Sequence, residues 1–213
     1  MSEICDKLHA LFNSLPRFTF PFDESRIPQN GIYVLFEKGE RGHGADRIVR
    51  IGTHTGDGQL RSRLRQHFVS ENKDRSIFRK NIGRALLNRA GDPFLAQWNV
   101  DLTTSAAKRM LSGSMDVEKQ MRVEGQVSAY MRANLSFAVV GVETKEERLR
   151  LESEIISAVS LCDECGPSQS WLGLSSPIAK IRESGLWLVN ELYKEPIGED
   201  GFRRLEELAR RQG

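Results

Sequence analysis

Arg63 and His67 have the residue types and the spacing for chemistry on a phosphate group. They stand four positions apart in the segment LRSRLRQHF, residues 60–68, whose apolar residues recur at helical spacing, so both should project from one helix face. Arginine presents a fixed fork of donors to a phosphate, and histidine can move a proton near neutral pH. The neighbouring Arg61 and Arg65 point elsewhere, and we interpret them as contacts to a nucleic-acid backbone or as solvated charge.

Glu152 is the most informative single residue of the sequence. When residues 145–160 are plotted as a helix, apolar side chains fill one arc, and Glu152 falls near its centre. A carboxylate turned toward the interior is costly unless it is paired with a cation or binds a metal. We interpret Glu152 as a site residue, and a buried ion pair with an arginine is the alternative.

Tyr33 and Arg50 should share one face of a β-hairpin. The segments 31–37 and 47–53 have the composition of strands, and the glycine- and charge-rich stretch between them is typical of a long hairpin tip. If Val49 alternates regularly into the core, Tyr33 and Arg50 are direct cross-strand partners on the opposite face, with about 5 Å between their Cβ atoms. The alternative is a surface pair without chemistry.

The elements that must position these residues follow from hydrophobic periodicity. Helical spacing predicts helices at 2–15, 60–68, 76–89, 115–133, 144–160, 177–184 and 201–211. Strand-like segments are 31–37, 47–53 and 135–142. Residues 91–114 show no clear period and are expected to be a loop-rich insertion. The sum predicts an α+β fold, a small antiparallel β-sheet of three or more strands flanked by helices.

Composition narrows the class of protein. Of 213 residues, 39% are hydrophobic and 28% are charged, which is ordinary for a soluble globular chain. No stretch approaches the ~18 consecutive apolar residues of a membrane span, so no membrane partner is expected. Three cysteines, an odd number, argue against a disulfide scaffold and predict a cytoplasmic location. Cys162 and Cys165 form half of a zinc-site pattern, but no Cys or His follows them, which favours an incidental loop pair.

Positive charge is concentrated in one part of the chain. Residues 38–89 hold thirteen Lys or Arg against five Asp or Glu, although the net charge of the whole chain is +2. Such an excess suits a polyanion such as nucleic acid, and we include Arg79 and Lys80 among the expected contacts. Solvated helix faces would produce the same count.

Four segments in order resemble the GIY-YIG nuclease family. They are GIY at 31–33, RIG at 50–52, LRSRLRQHF at 60–68 and LESEII at 151–156, and the resemblance covers about residues 30–175. Further downstream, SIFRKNIGRAL, SWLGLSSP and IRESGLW resemble a bacterial subgroup of that family. The resemblance implies a lead-in at 1–30, a nuclease domain at 31–175 with an insertion at about 91–133, and a helical extension at 176–213.

The resemblance also implies roles for individual residues. Tyr33 corresponds to the tyrosine of the first motif, Arg63 and His67 to the helix arginine and histidine, and Glu152 to the metal-binding glutamate. Arg50 stands where the second motif has its tyrosine. The late asparagine of the family is not evident. Ser170 or Gln169 lies in its region, and we include Ser170 among the expected nucleic-acid contacts.

The function implied is that of an endonuclease hydrolysing phosphodiester bonds with a single Mg²⁺ or Mn²⁺ on Glu152. The expected substrate is nucleic acid, in first place double-stranded DNA, and cutting both strands with one site per chain would favour a homodimer. Two alternatives remain open from the residues alone. One is a nucleic-acid-binding module with weak or lost catalysis, because of Arg50; the other is a protein-interaction domain.

Overall fold

A four-stranded antiparallel sheet lies at the centre of the fold. The computed structural model describes residues 2–101 and 115–211. The strands are β1 (Phe18–Thr19), β2 (Gly31–Gly42), β3 (Ala45–Gly52) and β4 (Leu135–Gly141), in the spatial order β1-β4-β2-β3. The predicted α+β class is confirmed. β1 escaped prediction because two residues are too short to show an alternating pattern.

Helices cover both faces of this sheet. They are α1 (Ser2–Ser14), α2 (Leu60–Phe68), α3 (Ile77–Arg89), α4 (Leu95–Asn99), α5 (Val117–Asn134), α6 (Lys145–Ser160), α7 (Ala179–Ser184) and α8 (Glu199–Arg210). The side chains of Ser76 and Thr144 cap α3 and α6 by accepting a backbone N–H in the first turn. α4 lies within the segment 91–114 that we expected to be loop-rich. Residues 102–114 of that segment lie outside the described residues.

Two hydrophobic cores lie on the two sides of the sheet. On β2, Ile32 and Val34 face the core formed with α1, α6 and α8, whereas Tyr33 and Leu35 face the core formed with α2, α3, α4 and α5. α1 and α8 pack against each other as well as toward the sheet. The expected lead-in and extension are therefore integral to the core. No described helix is both long and apolar enough to cross a membrane.

A β-bulge changes the hairpin register that the sequence predicted. Leu35 pairs with Arg50, but Phe36 pairs with Ile48, so Val49 is an extra residue on β3. Val49 consequently joins the core that contains Tyr33, and the prediction that it alternates into the other core is wrong. Tyr33 pairs with Gly52, so it is not the direct partner of Arg50. The two residues still share a face, two positions apart.

Candidate active site

The edge strand β3 ends at a cavity bordered by helices from both faces of the sheet. This cavity has a volume of about 460 Å³. Its polar lining comprises Arg50, Arg63, Asn81, Glu152, Asn190 and Glu191, and apolar side chains such as Trp187 complete the wall. Three residues predicted from the sequence, Arg50, Arg63 and Glu152, are therefore brought together. They come from β3, α2 and α6, and only the tertiary fold makes them neighbours.

Glu152 is half-buried at the end of the sheet. Its Oε1 accepts a hydrogen bond from the backbone N–H of Thr53, at 2.9 Å, where the chain leaves β3. No described lysine or arginine forms a salt bridge with Glu152, so the alternative of a structural ion pair does not apply to the described part of the chain. The carboxylate instead stands in a cavity whose two arginines act on it through space.

Burial raises the pKa of Glu152 above its ordinary value, and four neighbours modulate this effect. The positive charges of Arg50 and Arg63 and the hydrogen bond from Thr53 oppose the rise, and the negative charge of Glu191 adds to it. The site thus holds a carboxylate that is costly to ionise by itself. A cation placed in the cavity would relieve that cost.

The residues fit the divalent cation that the sequence resemblance implies. Mg²⁺ is commonly held by one or two carboxylates, with water and substrate phosphate oxygens completing its shell. Glu152 lines the cavity, and its Oε2 has no hydrogen-bond partner among residues 2–101 and 115–211. Glu191 is less suitable, because its carboxylate is already bonded to Ser153 and Lys194. The protein therefore offers the cation one ligand, the Oε2 atom of Glu152, beside the cavity.

Tyr33, His67 and Ser76 form a buried hydrogen-bonded chain beside the cavity. The Tyr33 hydroxyl lies 2.7 Å from Nε2 of His67, and Nδ1 of His67 lies 2.7 Å from Oγ of Ser76. The Tyr33 and His67 side chains have no exposed surface. Burial lowers the pKa of His67 well below its ordinary value, and the charges of Arg63, Arg50 and Arg79 add to the effect. The imidazole is therefore neutral at pH 7, so one of its ring nitrogens can accept a hydrogen bond.

Gly52 connects this chain to the carboxylate. A Cβ on Gly52 would lie 2.3 Å from the Tyr33 hydroxyl, so only glycine lets the phenol pack against the end of β3. The next residue, Thr53, donates to Glu152. The Tyr33 hydroxyl therefore packs against the last residue of β3, and the Glu152 carboxylate is hydrogen-bonded to the residue that follows it.

Arg50 is held rigidly. It is buried, its guanidinium lies over the Phe78 ring with 4.8 Å between Cζ and the ring centroid, and its Nη1 donates to the carbonyl of Trp187. Its Nε is buried without a hydrogen-bond partner in the described structure. A permanently charged side chain in this position supplies a fixed positive field and cannot serve as a base.

Two residues expected at a nucleic-acid surface are inside the protein, and the prediction is corrected for both. Arg79 is 0% exposed, and its guanidinium forms a salt bridge with Glu124 at 2.8 Å. It also donates to the carbonyl of His67 and to the Ser128 hydroxyl. Lys80 is 7% exposed, with its Nζ 3.4 Å from the carbonyl of Val100. Because α3 packs against α5, the side chains of Arg79 and Lys80 form interactions inside the protein and are not available at its surface.

The other predicted nucleic-acid contacts do not line the cavity of about 460 Å³. Arg61 donates to the carbonyl of Ile27 at 2.7 Å, and Arg65 is exposed and paired with Glu24 at 3.2 Å. Ser170 is exposed, and its hydroxyl lies 3.1 Å from that of Ser168. Their contact with nucleic acid stays a prediction, and it concerns surface around the site.

Sequence reasoning missed Thr53, Ser76 and Glu191. Thr53 acts through its backbone amide, which no pattern of side-chain types reveals. Ser76 was placed at the start of a helix, but its contact with His67 depends on how α2 and α3 pack. Glu191 enters the cavity from the segment after Trp187, whose N–H donates to the carbonyl of Val49 at the edge of β3.

Comparison with protein families places these motifs in a wider match. The family described as the GIY-YIG domain matches residues 3–212. The match extends beyond the segment 30–175 that carries the motifs and includes α1 and α8. No curated protein and no solved structure matches the chain.

Proposed function

The chain belongs to the GIY-YIG domain family, a family of endonucleases, and on this premise we propose that it cleaves phosphodiester bonds at the cavity of Arg50, Arg63 and Glu152. The observation that carries the proposal is the joint presence of one carboxylate and two guanidinium groups in a single cavity. Nucleic acid is the substrate class on which the family acts. Double-stranded DNA cut with the help of Mg²⁺ or Mn²⁺ is the form that we propose for this chain.

Glu152 holds the cation in this proposal. The Thr53 amide fixes one carboxylate oxygen and leaves the other for coordination. When bound, the ion supplies Lewis-acid stabilisation of charge on the phosphate and on the leaving oxygen. Because burial penalises the ionised carboxylate, Glu152 gains more from a cation than an exposed glutamate would.

Arg63 and Arg50 bind the phosphate. Arg63 is half-exposed and bonded to Gln66 at 3.1 Å and more weakly to the carbonyl of Arg75, so its fork can turn to a ligand in the cavity. There it neutralises charge growing on the non-bridging oxygens. Arg50 contributes a fixed charge from the floor of the cavity, since Trp187 and Phe78 hold its guanidinium in place.

Tyr33 and His67 move the proton of the attacking water. A free tyrosine has a pKa near ~10 and is a weak base at neutral pH. Neutral His67, with Nδ1–H donated to Ser76, accepts the phenolic proton at Nε2 while the tyrosine oxygen takes a proton from water. Since Tyr33 is enclosed and packs closely against Gly52, this relay requires that one water reach the Tyr33 hydroxyl.

A second cavity next to the site supports a path for the nucleic-acid backbone in this proposal. Arg63 lines both the cavity of Glu152 and a neighbouring one of about 350 Å³. The neighbour is walled by uncharged polar side chains, among them Gln59, Ser62 and Gln66. Hydroxyl and amide groups of this kind contact phosphate and sugar without reading bases. We propose that the strand passes along α2 in this cavity and enters the site at Arg63.

The test is cleavage of supercoiled plasmid by purified protein with Mg²⁺, with Mn²⁺ and with a chelator. Nicked or linear plasmid should form only with a metal ion, and only with wild-type protein and not with Glu152→Gln prepared in the same way. Glu154→Gln is the matched control, because it removes a carboxylate from the same helix outside the cavity. Salt-sensitive binding without any nicking would support a binding module instead. Neither binding nor nicking would support a protein-interaction domain.

A further inference from the structure

All three cysteines of the chain meet one histidine at the hairpin tip. The group, called the Cys₃His cluster here, consists of Cys5, His43, Cys162 and Cys165, whose ligand atoms all lie within 4.8 Å of one another. The cysteines are free thiols. In the sequence, Cys162 and Cys165 were interpreted as an incidental pair because no Cys or His follows them. The other two ligands, Cys5 and His43, precede this pair by more than a hundred residues, and the fold brings them to it.

Three separate elements bring these groups together. Cys5 lies on the buried face of α1, with Leu8 and Phe12 one and two turns further on. His43 occupies the turn between β2 and β3 with a φ of 51°, and only 5% of its side chain is exposed. Cys162 and Cys165 follow the end of α6. A histidine at a hairpin tip normally points to solvent, whereas this one points inward to sulfur.

One sulfur–sulfur and one sulfur–nitrogen distance within the cluster are close to those of a tetrahedral metal site. Cys5 Sγ and Cys165 Sγ are 3.6 Å apart, and Cys162 Sγ is 3.3 Å from His43 Nε2. Bond lengths of about 2.3 Å to sulfur and 2.0 Å to nitrogen at tetrahedral angles require separations of about 3.8 Å between two sulfurs and about 3.5 Å between sulfur and nitrogen. These two separations are therefore within a few tenths of an ångström of the required spacing, and all four ligand atoms lie within 4.8 Å of one another.

Hydrogen bonding indicates that His43, and not the neighbouring His9, is the histidine ligand of the cluster. His9 lies next to His43, with 5.0 Å between ring centroids, but both of its nitrogens are engaged. Its Nδ1 donates to the carbonyl of Cys5, and its Nε2 accepts from the N–H of Ile48. His43 has Nε2 toward Cys162, and its Nδ1 lies 3.8 Å from the Asp6 carboxylate. A carboxylate behind the second ring nitrogen is the usual outer partner of a metal-bound histidine.

We propose that the Cys₃His cluster binds one structural Zn²⁺. Three thiolates and one imidazole form a closed tetrahedral set without an open position, which is typical of structural zinc. Binding converts three thiols to thiolates and releases their protons to solvent, and His43 binds as the neutral ring. The ion joins α1, the β2–β3 turn and the turn after α6. It lies about 15 Å from Glu152 by the rise of α6, so it is separate from the proposed catalytic cation.

Metal content tests the proposal directly. Protein produced with a tag that contains no histidine and purified under reducing conditions should carry about one zinc ion per chain by elemental analysis. Replacement by Co²⁺ should give the visible bands and the sulfur-to-cobalt charge-transfer absorption of a tetrahedral thiolate site. Protein that holds no zinc and takes up none from a buffered Zn²⁺ solution would overturn the proposal. So would a Cys5–Cys165 disulfide in protein extracted with thiols blocked.

Variants identify the ligands. Cys162→Ser, at the least buried of the three thiols, and His43→Gln should lose the zinc and the cobalt spectrum. His54→Gln is the matched histidine control, since His54 bonds to Gly31 and Gly56 outside the cluster, and it should keep the metal. Asp6→Asn, at an exposed position, should weaken zinc affinity by about 10- to 100-fold while the protein stays folded. Full zinc content in both Cys162→Ser and His43→Gln would contradict the assignment, and it would leave the nuclease proposal untouched.

Discussion

The Tyr33 hydroxyl lies 2.7 Å from Nε2 of His67, and both side chains are fully enclosed by the protein. Burial and nearby arginines keep this imidazole neutral by lowering its pKa. A neutral histidine in hydrogen-bond contact with a phenol is an acceptor for the phenolic proton. The same contact also stabilises the fold, so a test must separate the two effects.

Tyr33→Phe should lower turnover by about 100-fold or more, the usual contribution of proton transfer by a positioned side chain. The matched control is Tyr130→Phe, because the Tyr130 hydroxyl also donates to a buried partner, Glu37, outside the cavity. Each variant should lose about 1 to 3 kcal/mol of stability from an unsatisfied polar group. Only Tyr33→Phe should change the pH–rate profile. An unaltered profile with a lower rate would restrict Tyr33 to a positioning role.

Glu152→Gln should make the metal-free protein more stable at neutral pH. The folded-state pKa of Glu152 is raised above 4.5, so the folded protein binds this proton more tightly than the unfolded chain. The contribution of protonated Glu152 to the free energy of unfolding is fully present below pH 4.5. This contribution is lost as the pH rises through the pKa of Glu152 in the folded protein. The Tm of Glu152→Gln should therefore rise above that of the wild type as the pH increases through the pKa of Glu152 in the folded protein. Each kcal/mol of difference in stability should shift the Tm by about 2 to 4 °C.

Thermal unfolding at several pH values measures this difference, and Glu154→Gln should change stability by no more than about 0.5 kcal/mol. Added Mg²⁺ should raise the Tm of the wild type and not that of Glu152→Gln, because binding to the folded state alone stabilises it. Equal Mg²⁺ shifts in the two proteins would argue that the ion binds away from Glu152.

Arg63→Ala should lower kcat by about 100- to 1,000-fold, which is the cost of removing one donor that stabilises developing charge. Arg65→Ala is the control from the same helix, because Arg65 is exposed and outside the cavity. It should leave kcat unchanged and, if Arg65 touches phosphate, flatten the salt dependence of binding by about one unit. Single-turnover cleavage and binding titrations at several salt concentrations measure the two parameters. Equal losses of kcat would contradict the separate roles of these arginines.

Arg79→Ala should unfold more easily by about 3 to 5 kcal/mol, because it leaves the buried carboxylate of Glu124 without its partner. Denaturant unfolding measures the loss. Arg89→Ala, at the exposed end of α3, should stay within about 0.5 kcal/mol of the wild type. Below the unfolding range, DNA affinity should be equal in all three proteins. A selective loss of affinity in Arg79→Ala would reinstate Arg79 as a phosphate contact.

Local features of the fold were predictable because they depend on neighbours in the chain. The capping hydroxyls of Ser76 and Thr144 and the apolar periodicity of α3 and α6 mark their ends within one or two residues. The strands at 31–37 and 135–142 were recognisable from their apolar, β-branched composition. The β-bulge at Val49 was not, because the extra residue changes which core each side chain faces without changing the residue types.

The candidate site divides in the same way. The sequence by itself determined the motifs that contain Tyr33, Arg63, His67 and Glu152 and the order of these motifs in the chain. It also determined the helix faces of Arg63, His67 and Glu152, because periodicity is a property of nearby positions. Only the tertiary structure decided which cations are available. Arg79 and Lys80 are as basic as Arg63, yet the packing of α3 against α5 removes them from solvent. The tertiary structure also brought Cys5 and His43 next to Cys162 and Cys165. Contacts between residues far apart in the chain depend on how helices and strands pack, and no local sequence pattern encodes them.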